Sequence, residues 1–309
     1  MSNLTKIKVV GVGGSGSNTV SRMKKCHIRG VELIAINTDA QDLAKAKADL
    51  KLRIGRKTTQ GLGTGMNPEI GRKSALENRT EIAEMLKGAE MIFITCGLGG
   101  GTGSGAAPVV AEIAKTSGAL ILAVVTRPFS FEGQVRAKIA ENGIRRLKEK
   151  VDTLISISND RLFTILDPKT PLLNAFWLCD DILRQAVQGI SDLILLPGIV
   201  NVGFADVRTV MQNAGSAIFG VGKAQGEGRA EKAATAAINS PLLDVSPKGA
   251  KGILFNVSGG KDISLAEIDA IAKVITQEIN PEAKVIFGAV QDEKLKKGQI
   301  KVTVIATGF

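Results

Sequence analysis

The chain is 309 residues long, with 44% hydrophobic and 23% charged residues, enough for two domains with full cores. Its formal charge of +10 is scattered, and clusters such as Arg145, Arg146, Lys148 and Lys150 read as a solvated helix face. Aromatics at 4%, no Tyr, a single His27 and three cysteines without metal spacing argue against a base-stacking nucleic-acid platform, zinc chemistry and a His catalytic base.

Lys6 to Val10 reads as a strand and runs into Gly11-Val12-Gly13-Gly14-Ser15-Gly16. That is a G-x-G-x-x-G pattern, followed by a helix expected from about Ser17. The next strand, Leu33 to Ile36, ends in Asn37-Thr38-Asp39. In a dinucleotide enzyme an acid at Asp39 holds a ribose hydroxyl, so an NAD-dependent oxidoreductase is one reading. It leaves a second glycine loop unexplained, and the second half offers no acid or base for hydride transfer. A third glycine cluster, Gly61 to Gly71, leads into another helix through an Asn67-Pro68 start.

An apolar run at Met91 to Ile94 reads as a buried strand leading to Gly97-Leu98-Gly99-Gly100-Gly101-Thr102-Gly103-Ser104-Gly105. Ala106, Ala107, Val109, Val110, Ile113 and Ala114 then recur at helical spacing, with Pro108 suited to a first turn. A strand, a glycine loop and a helix N-terminus make an anion site. Bare glycines let the backbone approach, and free N–H groups and the helix dipole point at the charge. No Lys follows the last glycine, so this is not a Walker A loop. A phosphate here must be neutralised by a metal ion or by basic groups elsewhere. Three such junctions in one α/β half suggest several loops converging on one polyphosphate at the carboxyl ends of a parallel sheet.

Leu120 to Thr126 reads as a strand ending at Arg127-Pro128-Phe129-Ser130-Phe131-Glu132-Gly133, with Arg136 close behind. Glu132 and Arg136 read either as an acceptor for a ribose and a partner for a phosphate or as plain helix-start charges. Val151 to Ile157 gives a further strand, ending at Asn159. From Pro171 a 3.6-residue apolar period predicts one long helix, closed by Pro197-Gly198. Phe176 and Asp180 lie on one face of it. Beyond Asn201 and Asp206, a helical pattern carries Val207, Val210 and Met211. Strands follow at about 217–221, 252–257, 284–290 and 299–307, with helices at about 228–239 and 264–279. Gly222–Gly228 reads as an exposed loop. The N-terminus lacks a secretory signal, and apolar runs such as Ala119 to Val125 are too short to span a bilayer. These features, with the unpaired cysteines, point to a cytoplasmic protein with no direct membrane insertion.

GLGGGTGSG at 97–105 is similar to the tubulin signature loop. With GVGGSGSN, AINTDA, GLGTGMNPEIG, TRPFSFEG and ISNDRLF in order, the chain resembles the tubulin/FtsZ family from about Lys6 to Phe309. The resemblance implies an α/β fold. It has a Rossmann-like parallel-sheet GTP-binding domain (1–170), a long central helix (171–197) and a smaller α+β C-terminal, GTPase-activating domain (198–309). It implies GTP/GDP and Mg²⁺ as ligands, with no metal held by the protein's own side chains. It carries Gly13, Gly14, Ser15, Asp39, Thr64, Gly65, Gly97, Gly99, Gly100, Gly101, Thr102, Gly103, Pro128, Glu132 and Arg136 to the nucleotide site. Asn18 and Asn159 fall near the base or sugar, Phe176 stacks on the base, and Asp180 accepts the N–H pair of a guanine edge. Asp206 and Asn201 are the implied catalytic residues, supplied by the next subunit of a head-to-tail homopolymer.

The family further implies a role at the bacterial division site, with division proteins and membrane anchors as partners and no nucleic acid. A filament protein that scarcely hydrolyses is the alternative. Three departures stand out. Gly203 replaces a usual acid and leaves Asp206 alone, Met66 replaces a small residue, and the charge is basic. The sequence stops at Phe309, where the family's linker and terminal peptide are expected to be lacking or removed.

Overall fold

Strands that are apolar on both faces build the first half, as parallel sheets require. The computed structural model describes residues 5–28, 30–164, 166–167, 169–196, 198–241, 243, 247–277, 279–292 and 295–309. The chain divides into two units, Met1–Gln188 and Gly189–Phe309. The first holds β1 (Ile7–Val12), α1 (Gly13–Lys25), β2 (Val31–Asn37), α2 (Ala40–Lys45), β3 (Leu50–Arg53), α3 (Arg56–Thr59), α4 (Pro68–Glu77) and α5 (Arg79–Leu86). It continues through β4 (Met91–Gly97), α6 (Gly101–Lys115), β5 (Leu120–Arg127), α7 (Gln134–Lys148) and β6 (Thr153–Ser158) into α8 (Leu172–Leu195), within which the division falls.

The strands of this unit lie in the order β3-β2-β1-β4-β5-β6, all parallel. This is the doubly wound arrangement, whose order reverses between β1 and β4 and opens a crevice at their carboxyl ends. Its core gathers Val10, Ile34, Ile92, Ile94 and Ile121 from the sheet against Ile82, Val110, Ile113 and Leu147 from the helices.

Two helices begin earlier than the sequence predicts. The one expected from about Ser17 starts at Gly13, directly off β1. A Cβ on Gly11 would stand 2.2 Å from the Gly16 carbonyl oxygen, and one on Gly16 2.5 Å from that of Thr95. Those glycines therefore seat the helix on the sheet and are not loop residues. Likewise α6 starts at Gly101, so Pro108 sits inside it and not in its first turn. Here Gly105 and Gly71 let α6 and α4 touch backbone to backbone. A Cβ on Gly105 would lie 2.0 Å from the Pro68 carbonyl oxygen, and one on Gly71 2.4 Å from that of Gly101. The helix continues past Pro108 to Lys115 although the proline leaves the Ser104 carbonyl without its helical donor.

The second unit comprises α9 (Phe204–Met211), β7 (Gly215–Gln225), α10 (Arg229–Ile238), β8 (Gly252–Gly259), α11 (Leu265–Thr276), β9 (Lys284–Gln291) and β10 (Gln299–Thr307). Its strands run β7-β10-β8-β9, with β10 antiparallel to β7 and β8, and β8 parallel to β9. Ala233, Ala234 and Ala237 of α10 and Ile271 and Ile275 of α11 cover one face of this mixed sheet. The stretch expected as an exposed loop at Gly222–Gly228 is strand through Gln225, paired to β10. Gly222 is buried because α10 crosses it, leaving 2.0 Å between a Cβ there and the Ala233 carbonyl oxygen. The predicted stop at Pro197 lies outside the described residues. Among the described residues no helix is long and apolar enough to cross a membrane.

Candidate functional site

A cavity of about 670 Å³ opens in the first unit where β1 and β4 end. Its floor is backbone. Gly13, at φ +75°, turns the chain from β1 into α1, and Gly13, Gly14 and Ser15 present the start of that helix to the cavity. Gly100, Gly101, Thr102 and Gly103 present the start of α6. Neither helix has a side-chain cap or an acid in its first turn, so the leading N–H groups of both are free to meet an anion. The two ends are nearly in contact, for a Cβ on Gly13 would lie 3.1 Å from the Gly103 nitrogen.

Three loops are tied together at this end by hydroxyls. Thr38 Oγ1 and Thr102 Oγ1 are 2.7 Å apart, and Thr64 Oγ1 and Thr102 Oγ1 3.4 Å apart. Thr38 follows β2, Thr64 belongs to the third glycine cluster, and Thr102 opens α6. Asn67 starts α4 as predicted, its side chain accepting from the Glu69 N–H at 2.9 Å. Gly63, Gly65 and Met66 complete this wall, as do Asp39 and Asp42. Asp39 caps α2 by accepting from the Asp42 N–H at 2.9 Å, while Asn37 donates to Asp42 Oδ2 at 2.7 Å. Burial first, and the neighbouring Asp39 second, hold the Asp42 carboxyl above its ordinary range.

The cavity is lined further by Pro128, Glu132, Arg136, Asn18, Asn159, Phe176 and Asp180. Glu132 accepts from the Phe129 N–H at 2.9 Å and from Arg136 at 2.5 Å. Asn159 is buried, and its Oδ1 has no hydrogen-bond partner, an unfilled acceptor on the wall of a cavity. Phe176 stands edge-on to Phe129, with ring centroids 5.5 Å apart. Asp180 Oδ1 accepts from Thr19 Oγ1 at 3.1 Å and Oδ2 from Arg22 Nη2 at 3.3 Å. Desolvation raises the Asp180 carboxyl, and Arg22 opposes that shift. The neighbouring Cys179 thiol is pushed up to about 12, by burial before the Asp180 charge, and stays protonated at neutral pH.

The structure thus gathers the nucleotide residues expected from the sequence around one cavity, with one exception. Gly99 is not on the wall. It turns at φ +100° behind it, wedged between the Arg136 carbonyl oxygen and Pro128, and its N–H donates to Ser104 Oγ at 2.9 Å. Asn201 and Asp206 belong to the second unit. Asn201 Oδ1 accepts from the Gly198 N–H at 2.7 Å, and Asp206 Oδ2 from the Gly203 N–H at 2.9 Å, where α9 starts.

Sequence reasoning did not assign Thr38, Asp42 or Arg22 to the site. The first two follow a strand end in an α/β half, a place worth searching. For Arg22, on a helix face 158 positions from its partner, no local signal exists.

The Tubulin/FtsZ family GTPase-domain model matches residues 6–167, and the FtsZ family C-terminal-domain model residues 215–309. An FtsZ dimer from M. jannaschii, solved empty, is 49% identical over 98% of this chain and 88% of its own, with a TM-score of 0.94. CetZ1 from Haloferax volcanii, a GDP-bound monomer, shares the fold at 19% identity and a TM-score of 0.86, over 99% of this chain and 94% of its own. CetZ2 from the same organism, a GTPγS-bound protofilament, does so at 22% and 0.80, over 98% and 92%. Two uncapped helix ends at a doubly wound sheet's switch point, these two family models and near-half identity along almost its whole length establish that the chain belongs to the tubulin/FtsZ family of GTPases.

Proposed function

We propose that the protein binds GTP in this cavity and hydrolyses it to GDP and phosphate, after assembling head to tail with copies of itself. The observation that carries the reading is the meeting of the α1 and α6 N-termini on bare glycine backbone, at one end of a cavity whose other end holds Phe176 and Asp180. The first end suits a polyphosphate and the second a base. Asp180, with two acceptor oxygens, matches the adjacent N1–H and N2–H donors of guanine and mismatches adenine. Asn159 Oδ1 is free to accept from the sugar or base.

Among the described residues, the cavity wall carries four carboxylates, Asp39, Asp42, Glu132 and Asp180, against the single cation Arg136. The triphosphate therefore needs a cation of its own. Asp39 and Asp42 with the Thr38, Thr64 and Thr102 hydroxyls are hard oxygen donors of the kind Mg²⁺ accepts, directly or through its waters. Bound with the nucleotide, Mg²⁺ supplies neutralisation of phosphate charge. The N–H groups of Gly100 to Gly103 stabilise charge on the transferring phosphate, and Gly13 to Ser15 hold the rest of the chain of phosphates.

Water activation is assigned to Asp206, with Asn201, of the next subunit. Its carboxylate is assigned the role of orienting and polarising the water. Assembly is supported by apolar side chains left exposed in each unit: Leu62, Phe131, Phe163 and Leu173 in the first, Ile199 in the second. The M. jannaschii relative was solved as a dimer and CetZ2 as a protofilament, and a heterologous contact that does not close makes a filament. We place such filaments in the cytoplasm at the division site, with division proteins and membrane anchors as partners.

Sedimentation and phosphate release measured with GTP, GDP, ATP and NAD test this reading. GTP alone should drive pelleting and release, with release rising as filaments form. Pelleting without release would make the protein a nucleotide-dependent scaffold. NAD binding in preference to GTP would end the proposal.

A further inference from the structure

The Asp180 carboxylate is not free in the folded chain. Thr19 and Arg22 stand three apart on α1 and so share a face, and each addresses one of its oxygens. A carboxylate oxygen has two acceptor positions, so one on each oxygen remains for the paired donors of a guanine edge. The two α1 donors are not equivalent. Thr19 Oγ1 is also 3.0 Å from the Ser15 carbonyl oxygen, and its single proton cannot serve both acceptors fully. Arg22 is the undivided donor, and the only cation paired with Asp180 among the described residues.

Arg22 is itself fixed from the α8 side. Its guanidinium carbon lies 4.6 Å from the centroid of the Trp177 ring, one turn before Asp180. Its side chain is 17% exposed, and that of Asp180 13%, so the pair is shielded from solvent. Arg22 Nε is buried without a partner, an unfavourable feature that the Asp180 pairing and the Trp177 stacking must outweigh.

We propose that Arg22 is a positioning residue for base recognition. From α1, braced by Trp177, it holds the Asp180 carboxylate turned so that both oxygens face the base. The proposal rests on the reading of Asp180 as the guanine acceptor. Among the described residues, the titratable groups facing Asp180 are Arg22 from α1 and, on its own helix, Asp181 and the protonated Cys179 thiol, with Asp181 engaged by Arg184 at 2.6 Å. Without Arg22, burial and Asp181 are opposed by the divided Thr19 hydrogen bond, on a carboxyl that must be ionised to accept two N–H groups.

The test compares GDP with inosine diphosphate, which lacks the 2-amino group, by calorimetry from mildly acidic to mildly alkaline pH. Diphosphates avoid turnover, and the affinity ratio cancels titration of the phosphates. The parent ratio should be large and flat with pH. In Arg22→Met it should fall about tenfold, and further at the acidic end of the range than at the alkaline end, because burial favours the protonated carboxyl. Arg22→Lys, a point charge without the planar fork, should fall between the two. Arg22→Gln replaces Arg22→Met should the latter not fold. A parental ratio at every pH in Arg22→Met, while Asp180→Asn loses it, overturns the role of Arg22 alone. A parental ratio in Asp180→Asn overturns the base reading beneath it.

Discussion

Thr38 and Thr102 share a buried hydroxyl contact of 2.7 Å although they come from loops 64 positions apart. With Thr64 at 3.4 Å from the same Thr102 oxygen, hydroxyl contacts join three of the segments that line the cavity. Thr102→Val keeps the shape and removes the hydroxyl, leaving Thr38 buried with its main partner gone. Stability should fall by about 1–3 kcal/mol, read as a lower urea midpoint at unchanged slope. Affinity for GTP should fall alongside.

The glycines of the phosphate end divide into two kinds, and the division is testable. A Cβ on Gly100 meets nothing within 4 Å, and its φ of −89° suits any residue. Gly100→Ala should therefore leave stability within about 0.5 kcal/mol of the parent while crowding the phosphates and weakening GTP binding. Gly105→Ala should do the opposite, because its Cβ would stand 2.0 Å from the Pro68 carbonyl oxygen. Overpacking of this kind costs about 1–3 kcal/mol or more and should show as a lower melting temperature without nucleotide. Gly101 and Gly103 belong with Gly105. Their missing Cβ atoms would strike Thr64 Oγ1 at 2.3 Å and the Gly97 carbonyl oxygen at 2.6 Å, so substitution there disturbs protein before ligand.

That contrast marks how far the sequence could be read. The apolar runs, the Asn67-Pro68 helix start and the strand at Gln299–Thr307 lie where local pattern puts them, because burial on both faces and cap chemistry are written in neighbouring residues. A glycine that admits another backbone looks the same in sequence as a glycine in a loop. This is why α1 and α6 begin earlier than expected, and why Gly222 lies in a strand under α10. The glycine junctions of the cavity were legible as strand-to-helix turns, whereas the roles of Asn18, Asn159, Phe176 and Asp180 came only through the resemblance to the family. The Arg22–Asp180 pair was not, since it depends on two helices meeting.

Acid should weaken the second unit through one ion-paired cluster. Arg229, 8% exposed, donates to Glu267 Oε1 at 2.5 Å and to Asp262 Oδ2 at 2.7 Å, joining the starts of α10 and α11. The Arg229 hydrogen bonds hold both carboxyls below their usual range. Each folded pKa thus lies under its unfolded value. The stabilisation is complete above the unfolded value, near pH 4 by about half a unit, and is lost as pH falls through the folded one. Glu267→Gln should lower the urea midpoint at neutral pH. Its deficit against the parent should shrink steadily on acidification, and a deficit constant with pH would remove the charge from the account.

Catalysis is the reading that most needs a second subunit, and the structure shapes how to test it. Asp206 also receives the Gly203 N–H at the start of α9, so Asp206→Ala would loosen a helix end as well as remove a charge. Asp206→Asn keeps an oxygen for that N–H and removes only the carboxylate. It should bind GTP in an isolated subunit like the parent and still pellet. Its phosphate release should drop by about 10²–10⁴-fold if the acid acts on water. Gly203 has φ −81°, outside the left-handed region, so Gly203→Asp is sterically allowed and restores a second acid beside Asp206. It should speed release above the parent rate. The decisive experiment mixes Asp206→Asn subunits with Gly100→Val subunits, whose cavity is crowded but whose Asp206 is intact. Each is expected to be inactive alone. Where an intact cavity of one kind meets the intact Asp206 of the other, release should return, at most at about a quarter of interfaces in a random equal mixture. Release by Asp206→Asn alone at the parent rate would remove Asp206 from the mechanism. A mixture that pellets both kinds yet stays silent would mean that the site is not completed between subunits.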